Sequence, residues 1–273
     1  MCPDLKFGQH AAQAMPNEEV VLQNPGKPLE RSKEGPKGQP LINLPPVVLA
    51  MIGILVIIHA ALTLGGEHWQ IWAVAVFAFN PARFGTDPFW QIPGSRWWSM
   101  VTYGLLHADW VHVGFNCLWL AIFSKPVAMR LGALRYLALL AISVIAGALA
   151  SLVLHWGQNY AMVGISAGVS GMLAAAIPLM YARHADIGLG SEIGMEYLKP
   201  LKPLEIITNG RALAFTLMWL GLTVITAASQ YMTGTAFLEE RPIAWEAHLG
   251  GFVVGFIAFY LLDPKKVPRA IVM

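Results

Sequence analysis

Few residues in this sequence could do chemistry, and they gather in three short clusters set among apolar runs. The first is His107-Ala-Asp-Trp-Val-His112-Val-Gly-Phe-Asn116. The second is Gly164-Ile-Ser166-Ala-Gly168-Val-Ser170-Gly171, and the third is Ala247-His248-Leu-Gly250-Gly251-Phe-Val-Val-Gly255. Polar side chains inside a membrane span cost free energy, so they are functional candidates before anything else. A serine within reach of an imidazole forms a catalytic pair, and Ser166 with His248 is the pair this pattern offers. Ser170 lies four residues on, can face the same partner on a helix, and is the alternative serine. A lone histidine in such surroundings is commonly a hydrogen-bonded packing residue, and His107, His155 and His184 are read that way. No cysteine or carboxylate joins His107, His112 and His248 at a useful ligand spacing, so neither a metal nor another cofactor is expected. Cys2 in a polar tail and Cys117 in an apolar run are not expected to pair.

The elements that position these residues must be membrane helices. Of the 273 residues, 56% are hydrophobic and only 12% charged, and the mean hydropathy is +0.55. A soluble domain carries about a quarter charged residues, so the chain has too little polar surface for water and takes lipid as solvent. A net charge of +2 gives no reason to expect a nucleic-acid partner. Residues 1–40 are rich in charge and proline and read as a flexible tail. Six apolar stretches, at 41–66, 111–129, 136–154, 161–182, 212–231 and 242–262, read as spans, with Lys125 able to snorkel from the second. Residues 263–273 form a short C-terminal tail. Between the first two spans, residues 67–108 carry nine Trp and Phe residues with Pro81, Pro88 and Pro93. Aromatics favour the membrane interface and prolines oppose a clean span, which points to a partly embedded, hairpin-like outer loop. The start of the chain shows no basic region followed by an apolar core, so the first span is expected to direct insertion.

Basic residues orient the bundle. Fifteen fall in the tails and in the connections after the second and fourth spans, against Arg83, Arg96 and Arg241 on the opposite side. Both termini are therefore expected in the cytoplasm. Spans two, four and six then run inward from the outer face, and each opens on one of the three clusters. His112 stands at one entrance, with Asn116 a turn deeper. Ser166 and His248 lie some five residues into their spans, about 7 Å of rise. All four reach a similar depth below the outer surface. Gly164, Gly168 and Gly171 on span four, with Gly251 and Gly255 on span six, are expected to form small-residue faces that let helices approach closely.

The three clusters resemble the rhomboid family of intramembrane serine proteases. Its pattern is H-x-x-x-N, then G-x-S-G, then A-H-x-x-G-x-x-x-G, matched here by His112 and Asn116, by Gly164-Ile-Ser166, and by Ala247-His248 with Gly251 and Gly255. The resemblance covers residues 45–262. It implies a six-span all-α bundle with a Ser–His dyad, Ser166 as nucleophile and His248 as base. It further implies that His112, Asn116 and the Ser166 backbone N–H stabilise an oxyanion. Substrates would be transmembrane proteins cut near the outer side of the bilayer. A bacterial inner membrane is the expected location, since an Arg- and Ser-rich transit peptide is missing. The sequence departs from the pattern where Ala167 follows Ser166 in place of glycine. An unbroken G-x-S-G occurs one turn later, at Gly168-Val-Ser170-Gly171, so both serines stay open as nucleophile. With Ser166 in that role, Ser170 takes a place where some members pack an aromatic on the histidine, and His248 needs other neighbours. Trp98 is followed by Ser99 where many members have a Trp-Arg pair, which leaves the anchoring of the outer loop open. A non-catalytic relative that binds membrane clients is the alternative reading.

Overall fold

Each of the six apolar runs contains a helix in the computed structural model, which describes residues 44–86, 92–182, 198–233 and 244–264. The tail at 1–40, His184, and the C-terminal tail beyond Pro264 lie outside the described residues. The helices are α1 (Pro46–Gly65), α2 (Glu67–Phe77), α3 (Ser95–Thr102), α4 (Trp110–Leu131), α5 (Ala133–Leu154), α6 (Ser166–Met180), α7 (Pro203–Thr208), α8 (Gly210–Thr233) and α9 (Trp245–Leu262). Among the described residues the only β-type pairing is an isolated antiparallel bridge between Phe79 and Met162. Among the described residues five helices, α1, α4, α5, α8 and α9, are long and apolar enough to cross a membrane. The chain is an all-α integral membrane protein.

Local chemistry sets the helix ends. Pro46 opens α1 at a position where its missing N–H costs nothing. Gly66 and Gly132 have φ of 84° and 75° and join α1 to α2 and α4 to α5 without intervening loops. Asp109 caps α4, its carboxylate accepting the His112 N–H at 2.8 Å.

The fourth expected span differs from its prediction. It was read as 161–182, but α6 holds only 15 residues, about 22 Å of rise against a hydrocarbon core of about 30 Å. Residues before Ser166 are not helical. Met162 pairs with Phe79 in the bridge, and the Gly164 N–H donates to the Tyr103 carbonyl at 3.0 Å. A short helix is tolerable here because α6 is the centre of the bundle, packed on α4, α5 and α9. Every residue from Ala167 to Leu179 is buried, so protein rather than lipid surrounds nearly all of its length.

The described residues of the connection between α1 and α4 form α2, a 3-10 turn at Pro81–Phe84, and α3. Its anchor is a group of donors converging on the last carbonyls of α2. Arg83, 4% exposed, donates from Nη2 to Ala75 O at 2.6 Å and from Nη1 to Val76 O at 3.2 Å. Trp98 Nε1 donates to Val76 O at 3.0 Å, and Thr102 Oγ1 to Phe77 O at 2.8 Å. Arg83 and Trp98 thus meet on the same strip of backbone without being neighbours in sequence.

Candidate active site

The N-termini of α4, α6 and α9 lie at one end of the bundle and bring the three clusters together. Ser166 is the first residue of α6 and His248 the fourth of α9. The serine was expected some five residues inside its helix. It stands instead at the helix start, because the segment before it is not helical. Its hydroxyl reaches the His248 Nε2 at 2.8 Å. Both residues are partly exposed, so the pair can be approached from outside the core.

Ser170 does something else. It is 1% exposed, and its hydroxyl donates to the Ser166 carbonyl one turn back at 2.9 Å. A serine inside a helix commonly satisfies itself this way.

Close helix approach follows from the glycines. A methyl group on Gly255 would collide with the Gly171 backbone, and one on Gly251 with the Ala167 carbonyl. On the other face, a methyl on Gly168 would sit 2.7 Å from Leu140 Cδ1, and one on Gly171 would run into Ser143. These contacts press α6 between α5 and α9.

Gly164 positions the third partner. Its φ of 117° is one that side-chain-bearing residues avoid. A Cβ there would lie 2.9 Å from both Cε1 and Nε2 of His112 and 3.8 Å from Ser166 Oγ. The His112 imidazole therefore flanks the serine across the bare face of Gly164. Asn116 is 6% exposed, and its side-chain amide donates to the His112 carbonyl at 3.1 Å. That bond uses one of its two N–H donors. The first turn of α6 adds backbone N–H groups that no helix carbonyl accepts.

The remaining histidines separate. His155 is bonded as a packing residue would be, with Nδ1 3.2 Å from Gln158 Oε1 and Nε2 3.5 Å from the Glu246 carboxylate. His107 is 8% exposed, and its ring meets that of His112 edge-on at 5.1 Å. Neither ring nitrogen of His107 has a hydrogen-bond partner among the described residues, so the hydrogen-bonded role expected for it is not seen. Among the described residues no group of three or more His, Cys, Asp and Glu could hold a metal.

Two contributors escaped the sequence reading. Tyr103, 1% exposed, fixes the segment before Ser166. Its carbonyl accepts from Gly164, and its hydroxyl donates to Val144 O at 2.8 Å. Arg83 holds the connection between α1 and α4, and its signal was available as one of two basic residues, with Arg96, inside the aromatic, apolar stretch 67–108.

An all-α membrane bundle with a serine and a histidine in contact at the ends of two helices defines the class. The match to the rhomboid domain model spans residues 94–265, and the chain belongs to the rhomboid family. It is 25% identical over 231 residues to a Bacillus subtilis protein provisionally named rhomboid protease YdcA, covering 85% of this chain and 96% of the relative. It is 25% identical over 225 residues to rhomboid protease GlpG of Pectobacterium atrosepticum, covering 82% of this chain and 66% of that relative. A GlpG of Yersinia pseudotuberculosis is 22% identical over 227 residues, again covering 66% of the relative.

Proposed function

We propose that this chain is an intramembrane serine endopeptidase that cuts transmembrane proteins near the outer side of the bilayer. The observation that carries this reading is the 2.8 Å contact between Ser166 Oγ and His248 Nε2. Relatives named as rhomboid proteases support it. Ser166 Oγ attacks the scissile carbonyl while His248 Nε2 takes its proton. The oxyanion so formed is stabilised by the Ser166 backbone N–H, the His112 imidazole and the Asn116 amide. His248 returns the proton to the leaving amine, and water then hydrolyses the acyl-enzyme by the same route. Ser170 is unsuited to the nucleophile's role, since its hydroxyl is committed to the Ser166 carbonyl. A helical substrate must open locally to enter such a site, which favours segments with small or helix-breaking residues.

The test uses the purified full-length protein with a generic transmembrane substrate and a fluorophosphonate probe. Ser166→Ala is expected to abolish labelling and cut cleavage by at least about 10³-fold. His248→Ala should do nearly the same, while Ser170→Ala should keep labelling. Full labelling of Ser166→Ala would overturn the assignment of the nucleophile. Wild type that neither labels nor cleaves would favour a non-catalytic client-binding relative.

A further inference from the structure

One acidic side chain lies buried beside the dyad without belonging to it. Glu246 is the second residue of α9, two before His248, and is 4% exposed. Two helical positions correspond to about 200° of rotation, so the carboxylate and the imidazole leave the helix on opposite sides. His248 faces Ser166 on α6. Glu246 faces the outer end of α5 and the connection that follows it.

A buried carboxylate needs partners, because water no longer solvates it there. Glu246 has three. Its Oε1 accepts from the Tyr160 hydroxyl at 2.9 Å and from the Ser151 hydroxyl at 3.1 Å, and His155 Nε2 stands 3.5 Å away. The Ser151 and Tyr160 hydroxyls also touch each other, so their two hydrogens are shared among the three contacts of the cluster, and Tyr160 packs edge-on against the His155 ring at 5.1 Å. Ser151 and His155 are four residues apart and present one face of the α5 end. Between the two functional side chains, Ala247 is 2% exposed. A methyl on Gly147 of α5 would come 3.0 Å from its carbonyl.

We propose that Glu246 is a positioning residue for His248, acting through its cluster with Ser151, Tyr160 and His155. The inference rests on His248 being the catalytic base. Ser170 gives the His248 ring no hydrogen bond, since its hydroxyl donates to the Ser166 carbonyl, so the ring must be held otherwise. The cluster pins the first turn of α9 to α5, and a rigid helix turn carries that constraint two residues on. A displacement of 1 Å in a reacting group costs on the order of 10²-fold in rate. The Glu246 cluster protects the 2.8 Å contact on which proton transfer depends.

The experiment measures fluorophosphonate labelling rates per folded molecule, together with kcat and KM on the generic transmembrane substrate. Glu246→Ala should lower labelling and kcat about tenfold while KM stays within about twofold, because the substrate site is untouched. Glu246→Gln keeps an oxygen acceptor for both hydroxyls and should return to within about threefold of wild type. Tyr160→Phe removes one donor and should cost about threefold in labelling, which tests the idea even if Glu246→Ala does not fold. Wild-type labelling rates in both Glu246→Ala and Tyr160→Phe would overturn the inference, as would an equal loss in Glu246→Gln and Glu246→Ala. Failure of the dyad itself would read differently, as labelling that survives Ser166→Ala.

Discussion

The methyl group of Ala167 stands beside Ser166 where rhomboid proteins usually carry glycine, and α5 makes room for it. A Cβ added to Gly147 would lie 2.5 Å from the Ala167 Cβ, 2.9 Å from the Tyr103 hydroxyl and 3.0 Å from the Ala247 carbonyl. The small residue is thus present, but on the facing helix. Gly147→Ala should destabilise the protein by about 1–3 kcal/mol through overpacking. Adding Ala167→Gly should recover part of that loss, since Tyr103 and Ala247 still crowd the new methyl. Thermal denaturation in detergent of the two single variants and the double variant reads this directly. A double variant no more stable than Gly147→Ala would contradict the pairing.

The helices were legible because their signals are periodic and local, whereas the joints between them are not. Each apolar run gave its helix within a few residues, and three motifs in order gave the residues that now meet. The start of α6 was misread by five residues because Ala161–Ile165 is as apolar as a helix. Only its pairing with Phe79 and Tyr103, far off in sequence, draws it out. The outer connection hid its anchor for the same reason, since Arg83 and Trp98 converge on α2 from positions 15 apart. A guanidinium at a helix C-terminus satisfies orphan carbonyls and complements the negative end of the helix dipole. Arg83→Ala should therefore cost about 2–3 kcal/mol. Arg83→Lys should recover little, because an ammonium cannot fork across two carbonyls. Trp98→Phe, which loses one neutral hydrogen bond, should cost about 1 kcal/mol. Equal stability of Arg83→Ala and Trp98→Phe in a thermal scan would remove Arg83 as the anchor.

For the whole molecule, the site and most of the described basic residues lie at opposite ends, Arg83 and Arg96 being the exceptions. The dyad end collects the N-termini of α4, α6 and α9. The C-termini of α4 and α9 meet at the other end, where Arg130 Nε bonds Asp263 Oδ1 at 2.6 Å. Arg130 Nη2 bonds Oδ2 at 3.1 Å, and Nη1 donates to Leu198 O at 3.0 Å. Lys199, Lys202 and Arg211 follow around Leu201, whose N–H donates to the Pro178 carbonyl near the C-terminal end of α6. This fixed arrangement turns the count of basic residues into a statement about the active site. Positive residues stay on the cytoplasmic side, so the Ser166–His248 pair should face the outside. The check is cysteine accessibility in a Cys2→Ala/Cys117→Ala background, with one cysteine placed at exposed Gln70 on α2 or at exposed Thr208 on α7. A membrane-impermeant maleimide applied to intact cells should label Gln70→Cys, and should reach Thr208→Cys only after lysis. The reverse pattern would turn the bundle over and place cleavage on the cytoplasmic side.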